Sequence, residues 1–472
     1  MEHLPPGWPV ILLKKYKAHM DLSKLQSPPS PPGHWFFGNL EGIKGDPIQY
    51  SANMALAHDP LVLLKIASRR LYVTANAEIA MKVMVSEASK FNRGANYKRL
   101  SIIGGNGLIT TENGDFWKRQ RRLAQPGFHK ERLNSFFQTF IDCSYQTAER
   151  WKAIPSDEVT AISPEMSRFT LQVVGLTLFS LDLAEESRSF PVDLKFLLRF
   201  VNQRHYQFPR LPIHWPLKSH KEFFSRKLNL DKTVLDIIDQ RLEGDETYED
   251  LLDMFVSGVD VETGARMDRT QIRDEIFTML VAGFETSSVA LTWVWYSLYR
   301  HPEVVRQIID EVDAVVGKDK VKPEHLMQLT YTHQVISETM RLYPPAFAIP
   351  RDVGEDMELA GYALKKDTPF LVSLYGLHHN PEYWPDPEKF DPDRFSKENK
   401  EKQVKGAYMP FGSGQRICIG SQFAMMEMTA LIAVMIKDFA PEPIPNYTPK
   451  MIAAITTNVT QGMPMYIKRR KS

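Results

Sequence analysis

The sequence predicts a mainly α-helical protein with small β-sheets, folded as one large domain. Helical spacing of apolar residues dominates most of the chain, and the stretch 268–300 is long enough to cross a domain of this size. Strand-like patterns occur as short segments near the two ends of the chain, at 62–66, 71–74, 454–457 and 463–467. The length of 472 residues would allow two or three domains. We expect one, because the motifs described below are scattered along the chain and must meet at one site.

The composition narrows the classes of function. Hydrophobic residues make up 43% of the chain, which is ample for a large core, and the net charge of +1 gives no broad attraction to nucleic acid. The chain has two cysteines, Cys143 and Cys418, so a disulfide framework is not expected. This cysteine usage favours a reducing compartment, and we expect a soluble, cytoplasmic protein.

Residues 1–30 are predicted to be a tail and a proline-rich connector, ahead of a domain at 31–472. The apolar run 9–13 is far shorter than the roughly 20 residues that span a bilayer, so no integral membrane anchor is expected. Three lysines follow this run. That order leaves peripheral contact with an anionic membrane open, beside the simpler interpretation of an ordinary tail. The connector, 27–33, contains four prolines and cannot form a helix.

Three helices and a loop are predicted before the long helix. Periodicity indicates helices at 135–151, 164–179 and 194–203, the second with Ser163 as its N-cap. The proline-punctuated stretch 208–216 is predicted to be a loop. Its apolar content fits either a lid over an apolar cavity or a loop packed on the core.

The helix at 268–300 has a clear start and an unusual centre. Asp268 and Gln271 form a capping-box pattern at its beginning. Glu285 and Thr286 interrupt its apolar middle, where both must be satisfied if they are buried. Thr286 can bond back to the carbonyl of the preceding turn, at residue 282 or 283, so we expect a local π-bulge or kink. The plainer alternative is that Glu285 points to solvent.

Cys418 lies in the most informative part of the chain, residues 411–420. Gly412 and Gly414 allow backbone angles that side chains disfavour, and an apolar helix follows. The N-terminus of that helix can stabilise a thiolate. A buried, unreactive cysteine is the plain alternative.

This stretch resembles the haem-binding loop of the cytochrome P450 family, Phe-Gly-x-Gly-x-Arg-x-Cys-x-Gly. Every fixed position is matched, by Phe411, Gly412, Gly414, Arg416, Cys418 and Gly420. The resemblance runs from about residue 31 to 464 and is to the soluble bacterial type. It implies the single-domain P450 fold, haem b (iron protoporphyrin IX), and Cys418 as the iron ligand, whose thiolate donates electron density that favours O–O cleavage.

Two further motifs resemble those of the family. The stretch 282–287 is similar to its oxygen-handling motif, which implies that Thr286 stabilises bound oxygen and that Glu285 helps to deliver protons. The pair Glu338 and Arg341 is similar to its Glu-x-x-Arg motif, which Arg394 would complete as a structural triad.

The resemblance also implies the residues that surround the haem and the substrate. Arginines and a tryptophan N–H suit the haem propionates, and the matching positions are Trp117, Arg121, Arg351 and Arg416. The positions matching the substrate pocket are Ile109, Ala282, Ala346 and Ile455. All four are small or aliphatic, which suggests an apolar substrate such as a fatty acid, a terpenoid or a steroid.

The implied reaction is insertion of one oxygen atom from O₂ into the substrate. The sequence carries no flavin or iron–sulfur motif, so electrons are expected from a ferredoxin or flavodoxin type donor with its reductase. A basic group could dock that donor or be a solvated face; it comprises Lys118, Arg119, Arg122, Lys130 and Arg132. The rival functions are a peroxygenase, a fatty-hydroperoxide isomerase or dehydratase, and a haem-thiolate gas sensor. The intact cysteine loop and acid–threonine pair count against the enzyme rivals, and the missing output domain counts against the sensor.

Overall fold

The computed structural model describes residues 24–112, 114–183, 190–206, 211–244, 246 and 248–470. The apolar run 9–13 and the first residues of the predicted 208–216 loop lie outside these ranges. The rest of that loop, from 211, is irregular as predicted, and the connector 27–33 forms no helix.

The described residues form seventeen α-helices. They are α1 (Leu40–Gly45), α2 (Pro47–Ala57), α3 (Ala77–Met81), α4 (Ala95–Gly104), α5 (Asp115–Ala124), α6 (Lys130–Ala153), α7 (Ile162–Phe179), α8 (Phe190–Tyr206), α9 (Lys218–Glu243), α10 (Leu251–Ser257), α11 (Arg269–Arg300), α12 (Pro302–Val316), α13 (Pro323–Leu326), α14 (Thr330–Leu342), α15 (Leu374–His378), α16 (Lys397–Lys400) and α17 (Ser421–Met435).

The described strands are short and belong to four small sheets. They are β1 (Val62–Ile66), β2 (Arg69–Thr74), β3 (Phe91–Asn92), β4 (Val159–Ala161), β5 (Ala348–Val353), β6 (Met357–Leu359), β7 (Tyr362–Leu364), β8 (Pro369–Ser373), β9 (Phe439–Pro443), β10 (Met451–Ile452), β11 (Asn458–Val459) and β12 (Pro464–Arg469). The largest sheet has the order β1-β2-β8-β5-β3, and a second has the order β4-β12-β9. The pairs β6-β7 and β10-β11 form two-stranded sheets.

The mainly helical fold with small sheets is therefore confirmed. The hairpin predicted at 62–66 and 71–74 is present as β1 and β2, and the strand at 463–467 is present as β12. The strand predicted at 454–457 is wrong, because this segment is the turn between β10 and β11. Thr457 donates its N–H to the Pro345 carbonyl at 2.7 Å and its hydroxyl to the Pro344 carbonyl at 2.7 Å. These hydrogen bonds to the segment that follows α14 replace those of a strand pairing.

The three predicted helices before the long helix are present with longer ends, as α6, α7 and α8. Ser163 is not the N-cap of α7, which begins two residues earlier than predicted, at Ile162, with Ala161 as its cap. The cause is β4, which ends directly at the helix. The N–H of the buried Ile162 donates to the Met463 carbonyl at 3.1 Å, so the sheet fixes where the helix starts.

Helix α11 runs through the middle of the main hydrophobic core. Its most apolar 18-residue window is 72% buried, so a helix long and apolar enough to cross a membrane is here a core helix. Thr170 of α7 donates to the Phe284 carbonyl of α11 at 2.8 Å, which joins the two helices. Asp268 caps α11 by accepting from the Gln271 N–H at 2.8 Å, as predicted. The Gln271 side chain does not complete a capping box, because it reaches Glu275 at 2.9 Å instead.

Glu338, Arg341 and Arg394 lie together behind the segment that leads to Cys418. Arg341 donates to the two Glu338 oxygens at 2.6 and 2.8 Å, and both side chains are 0% exposed. Arg394 adds an ion pair at 3.5 Å from Nε to Glu338 Oε1. The remaining Arg341 donors reach backbone carbonyls of residues 378, 387 and 389. Every charge in this group is compensated, so removing one member leaves another charge buried without its partner.

We predict that Arg341→Met lowers the free energy of unfolding by about 3–5 kcal/mol, because it leaves the Glu338 carboxylate buried without its main counter-charge. Urea titration followed by far-UV circular dichroism measures the change. Lys402→Met is the control, since its pair with Glu398 is exposed on both sides and should leave the midpoint almost unchanged. Equal effects of the two substitutions would contradict the conclusion that Arg341 compensates a buried charge.

Candidate active site

The loop 411–420 holds Cys418 in a closed turn at the start of α17. The Cys418 N–H donates to the Phe411 carbonyl at 2.9 Å, which closes the loop. Gly412 and Gly414 have φ of +73° and +71°, the left-handed region that favours glycine. A Cβ at Gly414 would lie 2.1 Å from the Met84 carbonyl oxygen, so the loop packs on the π-helical segment Lys82–Ser86. The position of the sulfur is therefore fixed by backbone contacts.

The Cys418 side chain is accessible to a water-sized molecule, yet protein surrounds it densely. Desolvation raises the pKa of its thiol, while a backbone hydrogen bond from Gly420 and the charge of Arg121 act in the opposite direction. The side chain is thus exposed although its surroundings desolvate the thiol. Such a thiol ionises readily when a metal ion binds it, because a coordinated sulfur is deprotonated.

Tryptophan and arginine side chains lie next to this loop. The Arg416 guanidinium stacks over the Trp117 ring at 3.9 Å, and the Trp117 side chain is buried. Its Nε1–H has no hydrogen-bond partner among the described residues. Arg121 donates to the Ile417 carbonyl at 2.9 Å, directly beside Cys418. A buried indole N–H without an acceptor indicates a hydrogen-bonding group that belongs at this site.

A second set of cations lies beside Arg416. Arg351 is 6% exposed and Arg93 is 9% exposed, and Arg93 lies 3.6 Å over the Tyr97 ring. Desolvation, followed by repulsion from Arg93 and Arg351, lowers the pKa of Arg416 to about 9. Tyr97 and Glu112 act on the pKa of Arg416 in the opposite direction, and a further anion would stabilise buried arginines that repel one another.

Sequence reasoning missed Arg93 and Tyr97. Arg93 follows the two-residue strand β3, which has no periodic pattern to mark it. The neighbouring Gly94 is the one local cue, because a Cβ there would lie 3.3 Å from the Arg351 backbone. That close approach of β3 to β5 brings the two arginines into one group.

Thr286 and Glu285 lie at a partly accessible point in the otherwise buried middle of α11. The Thr286 hydroxyl donates to the Ala282 carbonyl at 2.7 Å, as expected. The expected π-bulge is wrong, because α11 is α-helical from Arg269 to Arg300. A single back-bonded threonine is thus accommodated within the regular hydrogen-bond ladder.

Glu285 faces a polar cavity of about 270 Å³ between α7, α8, α11 and the turn after β10. Desolvation raises the pKa of Glu285 to about 7, while Thr456 and Lys195 act in the opposite direction. One carboxyl oxygen, Oε2, has no hydrogen-bond partner among the described residues. Serine, asparagine and arginine side chains line the same cavity, so water can bridge to this acid.

The four predicted substrate-pocket residues are all partly buried, on separate elements. Ala282 lies one turn before Thr286, and Ile109 precedes α5. Ile455 borders the polar cavity beside Glu285. Ala346 packs against the core of the five-stranded sheet. The described contacts therefore bring Ile455 to Glu285 and Ala282 to Thr286, and they do not join all four residues in one pocket.

Glu427 is a buried acid that the sequence did not reveal. It lies on α17, is 0% exposed, and has two carboxyl oxygens without hydrogen-bond partners among the described residues. Desolvation raises its pKa to about 8, with an opposing effect from Ser287 of α11. The helix that follows Cys418 therefore presents a neutral acid to the helix that carries Thr286.

These features agree with the comparison to known proteins. The family model described as Cytochrome P450 matches residues 28–466. This chain belongs to the cytochrome P450 family. Cyclooctatin synthase of Streptomyces melanosporofaciens is 33% identical over 405 residues, which cover 84% of this chain and 86% of that protein. Pentalenene oxygenase of Streptomyces avermitilis is 31% identical over 419 residues, which cover 87% of this chain and 90% of that protein.

The fold is shared with solved structures of the family. The crystal structure of the cytochrome P450DA heme domain matches with a TM-score of 0.87 at 24% identity, covering 95% of this chain and 98% of that chain. The predicted family and fold class are thus confirmed. The protein is a haem-dependent P450 monooxygenase that uses O₂, a small-molecule substrate and redox partners.

The residues of the site fit a haem. The accessible sulfur of Cys418 is a suitable iron ligand, and the buried arginines 93 and 351 are suitable partners for anionic propionates. The Trp117 N–H that lacks an acceptor is a further donor for a carboxylate. At Gly420 a Cβ would contact one neighbour, the Phe128 ring at 3.7 Å, so this side of the loop has room for a flat group.

We predict that Glu427→Gln weakens the pH dependence of stability. The folded protein keeps a proton on Glu427 up to about pH 8, whereas the ordinary value is 4.5. The folded state then binds more protons than the unfolded state, so wild-type stability falls as pH rises between these values. Urea midpoints at several pH values across this window measure the slope. Glu398→Gln, at an exposed acid, is the control and should leave the slope unchanged. An unchanged slope in Glu427→Gln would show that this acid is ionised in the folded protein.

Proposed function

We propose that this P450 inserts one oxygen atom into an apolar terpenoid or a related lipid-like substrate, using haem b bound through Cys418. The observation that carries the proposal is Cys418, held by backbone contacts in a closed loop at the start of α17 and exposed there. The substrate class is supported by relatives that act on terpenoids and fatty acids, and by the aliphatic positions Ile109, Ala282, Ala346 and Ile455.

The bound haem would supply the activation of O₂ and the transfer of the oxygen atom. The chain would hold its two propionates with Trp117, Arg121, Arg351 and Arg416, joined by Arg93. Their buried positive charge attracts carboxylates strongly because little water screens it. Phe411, Gly412 and Gly420 would shape the loop beneath the porphyrin.

Thr286 and Glu285 would control the protons that O₂ reduction consumes. A pKa of about 7 allows Glu285 both to hold and to release a proton near neutral pH. The polar cavity beside it provides a route for water from the α8 side, where Lys195 and Arg199 line the wall. The Thr286 hydroxyl, one residue further on, donates its one proton to the Ala282 carbonyl and would accept a hydrogen bond from the reaction space. The acid–threonine pair thus favours O₂ chemistry over use of peroxide alone.

The electron donor would be a separate ferredoxin or flavodoxin type protein, with its reductase, docking on the side of the molecule behind Cys418. A groove of about 480 Å³ lies there, lined by Lys130, Phe411 and Met425 among others. Lys118 and Lys130 are exposed, which suits an acidic partner. Arg122 contributes less, because Asp260 and Glu262 bind it at 2.9 and 3.0 Å.

We further propose that residues 31–472 form one haem domain in the cytoplasm. The main hydrophobic cluster supports this, since it includes residues from α4 through to β12. Such a cluster spans nearly the whole proposed domain.

We predict that the reduced protein with carbon monoxide shows the strongly red-shifted Soret band of thiolate-ligated haem, and that Cys418→Ser loses it. Difference spectroscopy of the purified proteins measures the band. Cys143→Ala is the matched control, because Cys143 is buried in the core and its variant should keep the band. A red-shifted band that survives in Cys418→Ser would overturn the ligand assignment.

We predict that Thr286→Ala lowers product formed per NADPH by at least about tenfold and releases more hydrogen peroxide, because a hydroxyl that assists proton transfer is removed. Thr286→Ser keeps the hydroxyl and should retain most of the coupling. The assay uses a generic ferredoxin and its reductase with a panel of terpenoid and fatty-acid substrates. Unchanged coupling in Thr286→Ala would remove the threonine from proton delivery. Turnover with peroxide alone would favour a peroxygenase.

A further inference from the structure

The segment between α4 and α5, residues 104–111, packs its backbone directly on the first turns of α11. We call it the 104–111 loop. Gly105 has φ of +52°, and a Cβ there would lie 2.0 Å from Asp274 Oδ2. A Cβ at Gly107 would lie 1.9 Å from Thr278 Oγ1. The absence of side chains at these two positions lets the loop reach the helix.

Two buried carboxylates and an amide of α11 bind the backbone of this loop. Asp274 accepts the Asn106 N–H at 2.8 Å, and Glu275 accepts the Leu108 N–H at 2.9 Å. Gln271 donates to the Asn106 carbonyl at 3.3 Å and to the second Glu275 oxygen at 2.9 Å. Glu275 is 0% exposed, and desolvation raises its pKa to about 7. The loop amide that Glu275 binds offsets part of the free-energy cost of burying this acid.

The other side of the loop is bound by two of the arginines near the cysteine loop. Arg416 donates to the Leu108 and Thr111 carbonyls at 3.1 and 3.0 Å, and Arg93 donates to the Ile109 carbonyl at 2.9 Å. The Leu108 peptide unit is therefore fixed at its N–H by Glu275 and at its carbonyl by Arg416. The conformation of Ile109 depends on both sides of this arrangement.

The same turn of α11 also fixes α9. Arg273 forms an ion pair with Asp231 of α9 and a second one, at 2.8 Å, with Asp274. Asp274 thus contacts the loop with one oxygen and Arg273 with the other. Arg273 and Asp274 therefore link α9 to the loop.

We propose that Glu275 and Asp274 are positioning residues that hold the 104–111 loop closed over the substrate space and thereby limit the size of ligand that enters. This inference rests on the proposed function in one respect, that Ile109 borders the substrate. The two carboxylates would act through the loop backbone, whose N–H groups they bind. Loss of the Glu275 acceptor frees the Leu108 N–H and loosens Ile109, while the Cys418 loop stays intact.

The first test measures hydrogen–deuterium exchange of the 104–111 loop, which needs no turnover. Glu275→Ala should speed exchange in this loop by about tenfold, the factor expected for one lost hydrogen bond of the usual strength. Glu275→Gln keeps a carbonyl acceptor for the Leu108 N–H and should restore most of the protection. Thr292→Ala is the matched control, since it truncates a buried α11 side chain that bonds within its own helix. Unchanged loop exchange in Glu275→Ala would overturn the proposal.

The second test measures stopped-flow binding of two azoles to the haem-loaded enzyme. In Glu275→Ala, 1-dodecylimidazole should bind several-fold faster, while the rate for imidazole, which is small enough for a closed entrance, should stay within about twofold. Equal acceleration of both azoles would indicate general loosening and would reject the size limit. The carbon monoxide band is recorded for each variant, so a failure of thiolate ligation is distinguished from a failure of the loop inference.

Global destabilisation would also speed exchange in the β6-β7 hairpin, far from the loop. If Glu275→Ala shows this, Gln271→Ala decides the outcome, because it removes the bonds to the Asn106 carbonyl and to one Glu275 oxygen and leaves both acids in place. About threefold faster exchange confined to residues 104–111 would support the proposal. Exchange equal to wild type would reject it.

Discussion

The rest of the site depends on one electrostatic constraint, the buried positive charge between β3, β5 and the cysteine loop. Arg93 and Arg351 are almost fully buried, and their repulsion helps to lower the pKa of Arg416. Such a group is costly in a protein interior unless an anion joins it. The haem propionates have the required charge, and their binding would neutralise the cations while placing the iron over Cys418. If the propionates bind as proposed, haem binding would stabilise this part of the fold by compensating its buried charge.

Helix α11 contacts or carries most of the groups described around the candidate site. Its first turns bind the 104–111 loop and α9, its middle carries Glu285 and Thr286, and Ser287 faces Glu427 on the helix after Cys418. A helix buried over most of its length cannot move one of these groups without disturbing the next. The same helix thus links the 104–111 loop to Glu285 and Thr286, for which we propose the proton-handling role.

Local patterns in the sequence were sufficient for the helical class, the β1-β2 hairpin, the N-cap Asp268 and the turn geometry of Gly412 and Gly414. Local patterns were not sufficient to predict features that are made by contacts between distant segments. Thr457 bonds to residues more than a hundred positions earlier, and this bonding replaced a predicted strand by a turn. Arg93 and the Glu275–Leu108 bond depend on which segments meet in space, and no periodicity encodes that. The roles of the predicted site residues stay predictions.

Three acids in this molecule have pKa values near neutrality, and desolvation is the main cause in each: Glu275, Glu285 and Glu427. The hydrogen-bond partners of these acids indicate different roles for them. Glu275 is bound by a loop amide and by Gln271, so its oxygens are committed to holding structure. Glu285 alone of the three borders a polar cavity with an oxygen that lacks a partner among the described residues. An acid with a pKa near neutrality beside a cavity that can hold water is suited to proton transfer. Of the three acids, Glu285 therefore best fits the proposed role in proton delivery.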